Sequence, residues 1–125
     1  MDVLAVRRPK ASGRLEVYAW FFMRVSGLLL ILMVLTHFAI MHLYYGVSRI
    51  DFDVVAMRYR TPFWRIYDLT MVLLAMTHGM NGVRMIIDDY VHPRGWRIAA
   101  LSLAWTLGFF FLAMGVFTIL TFAGK

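Results

Sequence analysis

Four ionisable residues lie inside stretches that are otherwise apolar: Arg24, His37, His78 and Arg84. Polar groups of this kind are costly in hydrocarbon, so within a membrane they are candidates for ligand, cofactor or proton chemistry. An imidazole is a common metal ligand, and a guanidinium pairs with carboxylates or phosphates. The chain has no cysteine, which excludes disulfides, thiolate metal sites and iron–sulfur ligands. Any redox centre must therefore use histidine or lie in a partner subunit.

The sequence around His78 has the most informative spacing. At 100° per residue, Gly82, Met85 and Asp89 each lie within about 40° of His78 around a helix. A glycine beside a mid-membrane imidazole suits the approach of a flat group such as haem, whose iron imidazole commonly ligates. We therefore expect His78 to be an iron ligand with Gly82 next to it. The alternative is that His78 hydrogen-bonds to another helix while Gly82 permits close packing.

The same helix ends in Asp88, Asp89 and Tyr90. Acidic residues are unfavourable at a helix C-terminus, so the presence of Asp88 and Asp89 there indicates a functional role. Asp89 offers a titratable acceptor and Tyr90 a neutral hydrogen-bond donor, about 17 Å along the helix from His78. The alternatives are simple helix-end carboxylates and one more interfacial aromatic residue.

A second set of polar residues lies on the first apolar segment. Ser26 and His37 share one helical face, whereas Arg24 lies elsewhere on the helix. Arg24 is a candidate to bind a haem propionate or an acid of a partner, and the alternative is that it extends to lipid headgroups. His37 either ligates a second metal centre, supports the first, or makes a polar contact between helices. Arg84 points away from the His78 face, towards headgroups or a docked soluble partner.

The overall composition indicates a membrane protein. Of 125 residues, 62% are hydrophobic and only 16% charged, and the mean hydropathy is +0.70. This excludes a disordered chain, a coiled coil and an ordinary soluble domain. We predict an all-α membrane protein with a basic cytoplasmic arm at 1–17 and an anchor domain at 18–122. Its three transmembrane helices are expected near 18–45, 66–90 and 97–122, since each segment supplies about 20 apolar residues.

The connections and flanking charges predict the topology. The net charge of +6 comes from basic residues that flank the apolar segments, so we interpret it as a headgroup and orientation signal rather than as nucleic-acid binding. The first flank favours a cytoplasmic N-terminus. Residues 47–65 are expected to form one loop with a short interfacial helix near 51–55, and 91–96 a tight turn. On the third segment, Ala100, Ala104, Gly108 and Gly115 share a face suited to helix packing.

Two of these patterns resemble a known family. His78-x3-Gly82-x6-Asp89-Tyr90 is similar to the second helix of the D-type membrane anchor of succinate:quinone oxidoreductase, respiratory complex II. Arg24-x-Ser26-Gly27 is similar to an element in the first helix of these anchors. The resemblance extends from about Trp20 to Leu120, and its specific motifs are confined to the first two helices.

The resemblance implies a haem b held between this chain and a second three-helix anchor chain of C type. The histidine matching His78 would be an axial iron ligand, and the C chain would supply the other. Tyr90 would hydrogen-bond a quinone carbonyl, and Asp89 would belong to the same site and relay protons. FAD and the iron–sulfur clusters would lie in the flavoprotein and iron–sulfur subunits on the inner side. His37 resembles branches with extra histidines, some of which carry two haems, so the number of haems stays open.

Two alternatives to a succinate dehydrogenase anchor remain. One is the anchor of a fumarate reductase that uses menaquinol, since the direction depends on cofactor potentials. The other is a non-redox structural or transport subunit in which His78 only packs. The short amino terminus without an obvious transit peptide favours a bacterial cytoplasmic membrane.

Overall fold

The computed structural model describes residues 13–122, apart from the side chains of residues 15 and 16, and every regular element in this part is helical. Helix α1 (Arg14–Phe38) continues as a π-helical segment (Ala39–Tyr44). A 3₁₀ turn (Val47–Arg49) leads to α2 (Phe52–Tyr59), and then to α3 (Pro62–Tyr90) and α4 (Arg94–Thr121). Most of the predicted arm, residues 1–12, lies outside the described residues, and α1 begins inside its last part.

The all-helical prediction is confirmed, and two of the three expected spans meet the criteria for crossing a membrane. Val17–Tyr44 and Arg94–Thr121 each contain 28 residues, and an 18-residue stretch of each has a mean hydropathy of 2.0 and 2.1, respectively. Only 11% of the most apolar window of either helix is buried inside the chain, so most of their apolar surface is left for lipid or a partner. Helix α3 has 29 residues but a higher content of charge, and its role as the third span stays a prediction.

The loop between the first two long helices contains the expected short helix, which is longer than predicted. Gly46 has a φ of 78°, a conformation that glycine adopts without the steric cost of a side chain. Asp51 then caps α2, because its carboxylate accepts a hydrogen bond from the backbone N–H of Val54 at 3.0 Å. Helix α3 begins at Pro62, before the predicted residue 66, since proline is well suited to the first helical position.

The turn between α3 and α4 is shorter than expected. Helix α3 ends at Tyr90 and α4 begins at Arg94, with Pro93 as its N-cap. Gly95, which falls within the predicted turn at 91–96, lies instead in the first turn of α4. A proline just before a helix is compatible with its start because the first backbone N–H groups have no intrahelical acceptor.

Helix α3 packs against both α4 and α1. The small residues of α4 face it as predicted: the Met80 side chain occupies the space where Gly108 would carry a Cβ, and Val72 lies 3.1 Å from that position at Gly115. On the other side the hydroxyl of Tyr67 donates a hydrogen bond to the backbone oxygen of Met33 in α1, at 2.7 Å. These contacts set the spacing of the three long helices.

Arg65, in the first turn of α3, forms hydrogen bonds with the ends of α2 and α4. Its Nε donates to the backbone oxygen of Tyr59 at 2.7 Å, while Nη1 and Nη2 donate to those of Leu120 and Phe122 at 3.1 and 2.8 Å. The last carbonyl groups of a helix have no intrahelical partner, so the guanidinium satisfies the end of α4. We call this the outer end of the helix assembly, and the end formed by Trp20, Tyr90 and Trp96 the inner end.

Candidate functional site

His78 meets α1 through a hydrogen bond with Ser26. The Nδ1 of His78 lies 3.0 Å from the hydroxyl oxygen of Ser26, whose residue surface is only 1% exposed. The next residue, Gly27, leaves room for the imidazole. A Cβ at Gly27 would lie 3.2 Å from the Cε1 of His78, which is closer than most ordinary contacts. The small residues of α1 therefore let the imidazole approach the helix.

The Ser26 hydroxyl has two possible partners. It lies 3.3 Å from the backbone oxygen of Met23 and 3.0 Å from Nδ1 of His78. When the hydroxyl donates its single proton to Met23, its oxygen accepts the Nδ1–H of His78. In that neutral tautomer the other nitrogen, Nε2, carries no proton and keeps its lone pair. This is the tautomer that a metal ligand bound through Nε2 requires, with a neighbouring side chain that fixes the ring.

A cavity of about 550 Å³ adjoins His78 between α1 and α3. Apart from the imidazole it is apolar, and its lining comes from both helices: Gly27, Leu30, Ile31, Val34, Leu35, Ala75, His78 and Gly79. Its volume falls within the range of about 300–1,000 Å³ that is usual for ligand sites. Gly82, which the sequence placed beside His78, is not part of this lining. Gly27 and Gly79 are the glycines that border it.

At the inner end of α3 the two neighbouring aspartates have different surroundings. Asp88 lies 3.9 Å from the Nε of Arg97 in α4, and both side chains are about half exposed. Asp89 forms no ion pair with the described residues and is exposed, as is Tyr90, of which 79% is accessible. The structure thus leaves Asp89 and Tyr90 together on the surface, about 17–18 Å along the helix from His78.

Arg24 lies apart from the His78 cavity. Its guanidinium carbon is 3.6 Å from the centre of the Trp20 ring, which is a cation–π contact. Arg24 instead lines a separate cleft of about 230 Å³ that Arg84 and Asn81 also line. The two arginines were expected to have separate roles, and in the structure they line the same cleft.

A second polar cluster lies towards the outer end, where His37 meets two buried charged residues. The carboxylate of Asp68 is 3.4 Å from Nη2 of Arg58 and 3.4 Å from Nδ1 of His37. Arg58 is 4% and Asp68 5% exposed. The Nδ1 of His37 and the Nε of Arg58 are buried without a hydrogen-bond partner among the described residues. His37 is thus in a polar contact between helices, one of the alternatives that its position predicted.

The pKa of the neighbouring Tyr59 in α2 is affected by this cluster. Burial, and next the negative charge of Asp68, raise the pKa of Tyr59 from 10.0 to about 12. Both effects disfavour the phenolate. The tyrosine therefore keeps its proton in the folded chain at pH values where it would lose it in water.

Sequence reasoning did not single out Asp68 and Arg58, because both were interpreted as charges flanking apolar segments. Their roles depend on α2 folding back over α3, which a single sequence does not reveal. The positions of Gly27 and Gly79 could have been recognised, since each is adjacent in sequence to a residue already selected, Ser26 or His78.

Comparisons with known proteins identify the family of the chain. Residues 5–122 match the family described as succinate dehydrogenase/fumarate reductase transmembrane subunit. A succinate dehydrogenase hydrophobic membrane anchor subunit from Archaeoglobus fulgidus is 30% identical over 117 residues, which cover 91% of this chain and 99% of that protein. A protein of the same name from Rickettsia typhi is 22% identical over 85 residues, 68% of this chain and 66% of its own length. The chain therefore belongs to the family of succinate dehydrogenase/fumarate reductase transmembrane subunits.

Proposed function

We propose that the chain is the D-type hydrophobic membrane anchor subunit of a succinate:quinone oxidoreductase. It spans the membrane three times with its N-terminus in the cytoplasm and pairs with a C-type anchor chain. Together they hold haem b, contribute to the quinone site and dock the flavoprotein and iron–sulfur subunits. The single observation that carries this proposal is the hydrogen bond between Ser26 and His78 beside an apolar cavity, in a chain of this family.

The residues around His78 fit a haem. Ser26 fixes the ring through Nδ1, so that Nε2 is available for iron, and Gly27 and Gly79 leave space next to the ring. The rest of the lining is aliphatic, as expected for a site that must hold a hydrophobic macrocycle. Haem b, when bound, supplies a centre that accepts and donates single electrons near the quinone site. The iron–sulfur clusters belong to a partner subunit, since this chain has no cysteine to ligate them, and FAD belongs to the flavoprotein subunit.

The other residues selected from the sequence have less support. Gly82 lies one turn from His78 on α3, where it leaves the helix surface open for a partner. His37 lies eleven residues beyond Ser26, about 17 Å away along α1, so it does not support the centre at His78, and its contact with Asp68 is the role that has support. The contact of Arg24 with a haem propionate stays a prediction, because its guanidinium lines a different cleft.

The inner end of α3 is the proposed quinone site. Tyr90 donates a hydrogen bond to a quinone carbonyl, and Asp89 accepts and relays the protons that reduction requires. Both side chains are exposed, so they are accessible to a lipid-soluble quinone and to water. Asp88 is not needed for this role, since it lies near Arg97.

The exposed apolar surfaces support membrane insertion and a partner chain. Long helices with only 11% of their most apolar window buried would not be soluble alone. Leucine, isoleucine and phenylalanine side chains cover them, and the ring of Phe109 is among the most exposed. Both named relatives are succinate dehydrogenase subunits, which favours succinate oxidation over fumarate reduction as the physiological direction.

Purification of the complex through a tag on this chain tests the proposal. We expect a second anchor chain, an iron–sulfur subunit and a flavoprotein to co-purify, with haem b. In this complex Tyr90→Phe should lower succinate:quinone reductase activity about tenfold or more, because the hydrogen bond to the quinone is lost. Oxidation of succinate with a soluble dye should not change.

Tyr44→Phe is the matched control, because Tyr44 is equally exposed, at 80%, but lies towards the outer end. If Tyr90→Phe lowered quinone reductase activity and dye-coupled succinate oxidation equally, the cause would be failed assembly. Tyr90 would then lose its assignment to the quinone site. Recovery of the chain without any of the three subunits would contradict the proposed function as a whole.

A further inference from the structure

An apolar groove of about 410 Å³ lies between α3 and α4. Both helices supply its lining: Met76, Met80, Val83, Ala100, Leu103, Ala104, Leu107, Gly108 and Phe111. Its volume is within the range usual for ligand sites, but it has no charged, hydroxyl or amide side chain with which to bind a polar group. We propose that this groove holds the isoprenoid chain of the quinone whose ring lies at Tyr90. The inference rests on the proposed function and extends it from the ring of the substrate to its chain.

The groove begins below Tyr90 and continues away from the inner end. Val83 precedes Tyr90 by seven residues, so the two lie about 20° apart around α3 and about 10 Å apart along its axis. Met76 lies seven residues further back, about 40° from Tyr90 and about 21 Å along the axis. A quinone ring at Tyr90 therefore has the groove on the path that its chain takes into the hydrocarbon.

The groove is separate from the cavity that we assign to haem. None of the residues that line the groove also lines the cavity at His78. Gly79 is the α3 residue of that cavity nearest to Tyr90 in sequence, and it is eleven residues or about 17 Å away. The groove approaches Tyr90 more closely, at Val83, and it lies on the α4 side of α3 rather than the α1 side. Haem and the quinone chain can thus be bound at the same time.

The shape and flexibility of the lining suit a branched chain. Ala100 and Ala104, which are half-buried, lie one turn apart on α4, and their small side chains leave space along α3. Met76 and Met80 are unbranched and polarizable, and methionine adapts to irregular apolar shapes. An isoprenoid chain carries a methyl branch and a double bond in each unit. Its branches fill spaces beside small residues that a straight acyl chain leaves partly empty.

The expected contribution of the groove is orientation of the substrate. Lipid tails are as apolar as leucine, so a chain that moves from lipid into the groove gains little from the hydrophobic effect. The gain comes from contacts that hold the chain in one direction and so keep the ring at Tyr90. The groove should therefore affect the KM of a quinone with a long chain, and leave kcat unchanged.

The dependence of KM on chain length tests this assignment in the complex purified through this chain. Quinones with a ubiquinone or a menaquinone ring are each supplied with one and with four isoprene units. We expect Ala100→Leu to raise the KM of the four-unit quinone about tenfold, the lower end of the cost of altered contacts in an apolar pocket, because lipid competes for the chain. The KM of the one-unit quinone should not change, since so short a chain does not extend along a groove that begins about 10 Å from Tyr90.

Ala99→Leu is the matched control, since Ala99 is exposed, undergoes the same change and does not line the groove. It should leave both KM values unchanged. If Ala100→Leu does not assemble, Leu103→Ala replaces it. Leu103 is 61% exposed, so its truncation removes one wall of the groove and spares the packing of the helices. A KM that rises equally for both chain lengths, or for neither, would overturn the proposal.

A photoreactive diazirine at the end of the four-unit chain provides an arm that does not require turnover. Mass spectrometry should find the label at Leu103 and Leu107, and an excess of unlabelled four-unit quinone should abolish it. Label that persists in this excess would mean non-specific contact with lipid-facing surface. Absence of label from the groove would mean that lipid or the second anchor chain occupies it. Either result contradicts the assignment.

The same samples separate this inference from the proposed function. If Tyr90→Phe lowers quinone reduction as expected but the groove is not labelled, the assignment of the chain is wrong and the quinone site is kept. If Tyr90→Phe has no effect on quinone reduction, the quinone site itself is wrong, and the inference about the chain is refuted with it.

Discussion

Replacement of Ser26 by alanine is the most informative perturbation of the site. The Ser26 hydroxyl lies 3.0 Å from Nδ1 of His78, and Ser26 is almost completely buried. A His78 that binds iron through Nε2 carries its proton on Nδ1, and the Ser26 oxygen then accepts a hydrogen bond from it. Alanine removes the acceptor and little volume, so the imidazole keeps its position but loses the partner that fixes its tautomer. The effect should therefore appear in the binding of a ligand to Nε2 rather than in the fold.

The magnitude follows from the hydrogen bond. A buried N–H left without an acceptor costs about 1–3 kcal/mol, which corresponds to roughly 5–150-fold in an equilibrium constant. Loss of the group that orients a metal-binding histidine lowers metal affinity by about 10–100-fold. The two ranges overlap, so we expect the Ser26→Ala complex to release haem about ten to a hundred times faster than the unaltered complex.

The assay is the transfer of haem from the purified complex to an excess of apomyoglobin, followed by the change in the Soret band. Ser102→Ala in α4 is the control, because Ser102 is exposed and its side chain makes no hydrogen bond among the described residues. Transfer at the rate of the unaltered complex would refute the reasoning, since it would mean that Ser26 does not orient the iron ligand.

Three further perturbations test the packing around the site. Gly108→Leu should destabilise the chain by about 1–3 kcal/mol, measured by thermal unfolding in detergent, because Met80 occupies the space of the new side chain. Asp68→Asn should cost about 3–5 kcal/mol, because Arg58 remains buried without its counter-ion. Between pH 10 and about 12 the folded chain should lose stability as unfolded Tyr59 releases its proton while the folded residue keeps it, so Tyr59→Phe should flatten the pH dependence over that interval.

Each of these expectations has a matched comparison. Gly108→Ala should be tolerated better than leucine, since the flexible Met80 side chain can move away from a single methyl group. Asp53→Asn removes an exposed carboxylate from α2, and a loss of stability as large as that of Asp68→Asn would mean that burial is not the cause. For the third, a pH dependence that is identical in Tyr59→Phe and the unaltered chain would show that Tyr59 does not titrate across this interval.

The helices could be predicted from the sequence because long apolar segments have few alternatives in a membrane. The segment near 66–90 lies within α3, the one near 97–122 ends one residue beyond α4, and the one near 18–45 covers most of α1 and the π-helical segment that follows it. The Asp51 region formed the expected short helix. The ends were less accurate because they depend on single residues. Proline at position 62 extends α3 at its start, and Pro93 allows α4 to begin before Gly95.

The candidate site was only partly predictable, because its contacts join residues that lie far apart in the sequence. Helical periodicity relates residues on one helix, so it selected His78 with Gly82. It does not show which residue of α1 faces His78, and that residue is Ser26, 52 positions away. The pairing of Arg58 with Asp68 is similarly hidden, since it depends on how α2 folds over α3.

The central claim is that His78 ligates iron, and a reduced-minus-oxidised absorption spectrum of the purified complex tests it most directly. We expect a b-type band that is lost or strongly altered in His78→Ala, with the subunits still assembled. The control is His92→Ala, because His92 is exposed in the turn between α3 and α4 and its replacement should leave the band intact. A b-type band that is unchanged in His78→Ala would contradict the account.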